Sequence, residues 1–127
     1  VQNTYGYADL FSLPPGRTVP GGVTRIDIDR SSGTCSVGWT SDETVPSSAM
    51  KLSRGAGLLY GYAKVADPAG RDLWYWSAID WRTGATQYRV LAGVGPQWNN
   101  NWGVISIGPD GTAYVGTISG LVRVADA

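Results

Sequence analysis

Ile28-Asp29-Arg30-Ser31-Ser32-Gly33-Thr34 and Ile79-Asp80-Trp81-Arg82-Thr83-Gly84-Ala85 share an Ile-Asp-x-x-Ser/Thr-Gly frame, with Asp80 falling 51 positions after Asp29. Each reads as a tight turn between two strands. The Asp accepts backbone N–H groups across the bend, and the Gly supplies positive φ where the chain reverses. A second pair, Gly57-Leu58-Leu59-Tyr60-Gly61 and Gly111-Thr112-Ala113-Tyr114-Val115, lies 54 positions apart. The two spacings agree within loop variation, so the chain is built on an internal repeat of roughly 50 residues.

Working outward from these turns, residues 23–29 alternate strictly. Val23, Arg25, Asp27 and Asp29 share one face, and Thr24, Ile26 and Ile28 the other. Residues 35–40 return as the partner strand of a hairpin. Four runs of strand length follow at 49–53, 58–65, 73–81 and 86–92, and three more at 104–107, 112–117 and 121–125, separated by short Gly-rich or Asp-containing turns. A further short strand is expected at 2–7. Residues 12–22 contain three prolines and three glycines, which cannot sustain ladder hydrogen bonds, and read as an exposed loop. Helices are poorly provided for: one glutamate and two lysines leave few of the residues that helical surfaces use.

The fold class expected is therefore all-β. Four strands per repeat is the blade pattern of a β-propeller. The chain supplies a partial blade at 1–40, a full blade at 49–92 and a partial blade at 104–126, about two and a half to three four-stranded antiparallel blades. Closed propellers have roughly 4–8. An open arc would leave terminal sheets with apolar faces in water. Two partners would relieve this: additional copies of the chain, or the missing part of a longer one. The first residue, Val1 rather than Met, points to a longer precursor or an excised fragment. A small β-sandwich is the alternative architecture.

The Ile-Asp-x-x-Ser/Thr-Gly turns, each followed by an outer strand with an aromatic residue (Trp39, Tyr88), resemble the repeat of pyrroloquinoline-quinone-type and related bacterial β-propellers. Residues 106–116 are similar to the inner hairpin that many secreted bacterial propellers share. The resemblance covers residues 23–126 and implies the fold. For function it implies an oxidoreductase or hydrolase whose active residues lie in blades outside this chain. No residue here is assigned to quinone contact, and the third repeat stops at Asp126-Ala127 before its Thr-Gly turn.

Composition excludes several activities. Ten basic residues balance ten acidic ones, without the clustered Lys/Arg that phosphate binding requires, so nucleic acid is not an expected partner. There is no histidine, which removes Ser-His-Asp and Cys-His catalysis. No run is long and apolar enough for a membrane span or signal peptide. Low Lys and Glu with high Trp, Gly, Thr and Asn suits an extracellular or periplasmic protein. Cys35, the lone cysteine, has no neighbouring group to activate it and reads as an inert thiol.

The expected function is a non-catalytic binding or structural module. Trp98, Asn99, Asn100, Asn101 and Trp102 form the sharpest candidate site, because aromatic faces stack on sugar rings and amides pair with hydroxyls, making carbohydrate the candidate ligand. Trp74 and Trp76 share one strand face and read as packing between sheets. Asp27 and Asp29 are the candidate metal ligands, for calcium with Thr24 or Ser31 oxygens, against a turn-capping role. Calcium requires about 6–8 oxygens, and no cofactor is otherwise expected. Glu43, Asp67, Asp72 and Asp80 are the remaining carboxylates that could pair as acid and base. A self-assembling structural subunit is the third functional class.

Overall fold

β-branched and aromatic runs between Gly and Pro punctuation become strands. The computed structural model describes residues 1–125. Among them, β1 (Val23–Asp29) and β2 (Thr34–Ser41) form a first antiparallel sheet. A second sheet runs β3 (Lys51–Ser53), β4 (Leu58–Val65), β5 (Leu73–Asp80) and β6 (Thr86–Val94). A 3-10 turn, Pro96–Trp98, leads to a third sheet of β7 (Ile105–Ile107), β8 (Ala113–Thr117) and β9 (Gly120–Val124). The protein is all-β. Each sheet is a meander of strands consecutive in sequence, and none closes on itself.

The repeated turns are the same object twice. Asp29 Oδ1 accepts the Ser31 N–H at 2.8 Å, and Asp80 Oδ1 accepts the Arg82 N–H at 2.8 Å. Gly33 and Gly84 each donate N–H to the carbonyl of that Asp at 2.9 Å, with φ of +72° and +77°. On this match β1 and β2 correspond to β5 and β6. Gly57 and Gly111, also at positive φ, precede β4 and β8 and match those strands. The first sheet thus corresponds to the outer half of the second, and the third sheet to its first three strands.

Alternation along β4 and β5 divides the core in two. Tyr62, Trp74 and Trp76 face the third sheet and pack with Ile105, Ala113, Val115 and Val122. Ala63 and Ile79 face the other way, with Val23, Val45 and the partly buried Trp39, Leu59 and Tyr75. The two central strands of the middle sheet, β4 and β5, are covered on both sides, while β6 is largely exposed. Each large aromatic buries roughly 150–250 Å², worth about 4–6 kcal/mol of transfer free energy before chain entropy, so the three on the first of these faces dominate the core.

The first sheet faces the opposite way from a usual half-buried hairpin. Its inner face carries Arg25 and Asp27, ion-paired at 2.7 Å, with the guanidinium 5.1 Å from the Trp81 ring. Its outer face carries Ile26 opposite Val37 and Ile28 opposite Cys35, all exposed. Gly38 is the extra residue of a bulge where a Cβ would come 2.7 Å from Asp27 Oδ2.

Two expected strands are corrected. Residues 2–7 hold one isolated bridge, Gln2 to Val23, because a turn closed by the Tyr7 N–H on the Thr4 carbonyl, with Gly6 at φ +90°, ends the extended run. The strand expected at 49–53 shortens to Lys51–Ser53, Ala49 instead making a parallel bridge to Val104. The loop at 12–22 is pinned from below. Asp72 Oδ1 accepts the Gly16 N–H at 3.1 Å and pairs with buried Lys64 at 2.8 Å.

Candidate functional site

The run from Trp98 to Trp102 splits into three roles. Trp98 closes the 3-10 turn and lies so close over Gly93 that a Cβ there would overlap the indole. It packs against the core between the second and third sheets. Asn99 and Asn100, expected to offer amides to a ligand, are instead 4% exposed, and their amides serve the fold. Asn99 Oδ1 accepts from the Tyr7 hydroxyl at 3.1 Å and from the Asn101 N–H at 2.8 Å. Asn100 Oδ1 accepts from Ser47 Oγ at 2.5 Å, and its Nδ2 donates to the Gly103 carbonyl at 2.9 Å. Burying an amide without partners costs several kcal/mol, and these bonds offset that cost for both Asn oxygens and for the Asn100 amide N–H.

Asn101 and Trp102 emerge on top of this base. Both adopt left-handed backbone, φ +40° and +68°, the only such non-glycine residues among those described. For a side chain as bulky as Trp that conformation costs about 1–2 kcal/mol, and persists because the surrounding hydrogen bonds over-determine it. The result is an indole 48% exposed, held edge-on against the buried Tyr7 ring at 5.4 Å. The Asn101 side chain lies beside it, with Oδ1 at 3.3 Å from the Tyr7 hydroxyl. Chemically this is a half-exposed aromatic ring braced by Tyr7, suited to stacking on an apolar ring face.

The two aspartates considered for metal are each committed locally. Asp27 pairs with Arg25, and Asp29 accepts from Ser31 and Ser32 hydroxyls at 2.7 Å each. Those two hydroxyls, with the Ser31 N–H, hold the exposed Asp29 carboxyl down at about 2. This is the turn-capping role. No group of three or more His, Cys, Asp or Glu residues gathers among those described. Of the other carboxylates, Glu43 is fully buried and bound by Arg89 Nε at 2.9 Å and by the Thr86 hydroxyl at 2.7 Å. Asp67 pairs with Arg71.

Sequence reasoning missed Tyr7 and Ser47, which hold the Asn pair from 92 and 53 positions away. No local pattern marks them. A faint signal existed in the triple Asn run itself: three amides in a row cannot all face one ligand from a turn.

No family model matches this chain, and no solved structure does. An uncharacterized protein of Archaeoglobus fulgidus is 26% identical over 121 residues, covering 95% of this chain and 23% of that protein. The chain therefore spans about a quarter of the length of that relative. No helix of the described residues is long and apolar enough to cross a membrane.

Proposed function

We propose that this chain is a non-catalytic sector of a β-propeller that binds carbohydrate through Trp102. The observation that carries the reading is the half-exposed Trp102 indole, kept in a left-handed backbone on a hydrogen-bonded base of Asn99, Asn100, Tyr7 and Ser47. A rigid aromatic loses little entropy on binding, and the flat face matches the axial C–H side of a pyranose. Three observations support the propeller part: the repeated Asp-Gly turns, the serial stacking of the sheets, and the uncovered apolar face of Ile26, Ile28 and Val37, where a preceding sheet fits.

The test is a glycan array probed with labelled wild-type protein and Trp102→Ala, followed by calorimetric titration of any hit. Wild-type signal that disappears in the variant is expected. A wild-type chain that binds no glycan, or a variant that binds as well, overturns the reading.

A further inference from the structure

Residues 4–7 form a β-turn, closed by the Tyr7 N–H on the Thr4 carbonyl at 2.9 Å, with Gly6 at φ +90° in its third position. Positive φ there is what a type II turn requires, and it sets Tyr5 at the outer corner. Asn3 clamps the entry. Its Oδ1 accepts the Tyr5 N–H at 2.9 Å, its Nδ2 donates to the Gly21 carbonyl at 3.0 Å, and its own N–H donates to the Gly22 carbonyl at 2.8 Å. The Tyr5 side chain, 81% exposed, is thus displayed on a fixed backbone.

The same turn ends at the residue that braces Trp102. Tyr7 is buried, its ring meets the Trp102 indole edge-on at 5.4 Å, and its hydroxyl donates to Asn99 Oδ1. Two residues of chain span at most about 7 Å. The Tyr5 ring and the Trp102 indole are therefore mounted on one support, within reach of a short glycan.

One stacked aromatic contributes on the order of tenfold in affinity. Even millimolar binding corresponds to about a thousandfold, relative to a molar standard state. A sugar resting on Trp102 alone is held too weakly, and a second platform is needed. We infer that Tyr5 is that platform, so that the ligand is an oligosaccharide whose rings stack on both residues; this rests on the reading of Trp102 as a sugar-binding residue. Tyr5, Tyr7, Asn101 and Trp102 carry no charge, which suits an uncharged glycan. A chain with equatorial linkages keeps apolar C–H faces along its length and matches two separated aromatic rings.

Oligomers of β-1,4-linked glucose, N-acetylglucosamine and mannose, from monomer to hexamer, test this by calorimetric titration of the chain. At least one series should bind, with affinity rising about tenfold or more from monomer to tetramer. On that tetramer, Tyr5→Ala should lose about tenfold, Tyr5→Phe less than about twofold, and Trp102→Ala all measurable binding. The thermal midpoint of both Tyr5 variants should match the wild type. Equal affinity for monomer and tetramer, or a Tyr5→Ala chain that binds the tetramer as well as wild type, overturns the inference and leaves the Trp102 reading standing. Equal losses in Tyr5→Phe and Tyr5→Ala overturn it, because the ring is then not the contact, as does a lowered midpoint in Tyr5→Ala, because the ring then serves the fold. Failure of every series to bind the wild-type chain overturns it too, and the Trp102 reading falls with it only where the glycan array is blank as well.

Discussion

The Tyr7 hydroxyl donates to Asn99 Oδ1 across 3.1 Å, joining residues 92 positions apart and locking the base on which Trp102 stands. The two contacts of Tyr7 are separable. Tyr7→Phe removes the hydroxyl and keeps the ring, so urea unfolding should show a loss of about 1 kcal/mol, given that Asn99 Oδ1 retains the Asn101 N–H. Tyr7→Ala also removes the edge-on ring beneath Trp102 and should cost about 3 kcal/mol. Equal losses in the two variants would mean that the ring contributes nothing.

The Glu43–Arg89 pair is asymmetric: the carboxylate is fully buried, whereas the Arg89 side chain is 40% exposed. Removing Arg89 strands a buried charge, while removing Glu43 leaves a guanidinium that can turn to water. Arg89→Ala should therefore destabilise by about 3 kcal/mol and Glu43→Gln by about 1–2 kcal/mol. Guanidinium unfolding midpoints for the two variants decide the order, and the reverse order contradicts the burial argument.

Acid should loosen the turns. Asp29, Asp80 and Asp110 are each held below the ordinary carboxyl value of 3.8, chiefly by the Ser31 hydroxyl, the Thr83 backbone N–H and the Thr112 hydroxyl respectively. Asp67 is held below it by Arg71. A depressed folded-state value means that the unfolded chain binds more protons. The stabilisation is present above pH 4 and is lost as pH falls through the folded values, reaching about 2 for Asp29. Thermal melts from pH 5 to pH 2 should show a falling midpoint, with a shallower fall in Asp29→Asn. A midpoint that does not change with pH would refute the assignment.

Gly93→Ala places a methyl group into the Trp98 indole. Displacement of the ring should cost about 1–3 kcal/mol and shift the tryptophan emission to the red as the indole meets water. An unchanged spectrum would show that the ring has room to move.

The sequence carried the β-architecture because its signals are local. The Ile-Asp-x-x-Ser/Thr-Gly turns depend on hydrogen bonds within five residues, and the alternation of Tyr60, Tyr62, Trp74 and Trp76 assigns faces without reference to anything distant. The loop was half legible. Exposure of Trp102 follows from its place in a turn, but the burial of Asn99 and Asn100 depends on Ser47 and Tyr7 arriving from far along the chain. An amide has the same donors and acceptors whether it meets a sugar or a serine, so composition could not tell the two apart. The shortened first strand has the same origin: residues 2–7 look extended until Gly6 turns them toward the loop they support.

Every strand here pairs with one that precedes or follows it directly in the chain. Hairpins can therefore nucleate as soon as their own residues are available, and no early step waits for the closure of a long loop. Lengthening such an array by duplicating a unit would disturb only the two seams beside the insertion. The side-chain ties that span the sheets, Tyr7 to Asn99, Ser47 to Asn100 and Arg89 to Glu43, are what such growth would have to leave intact or remake.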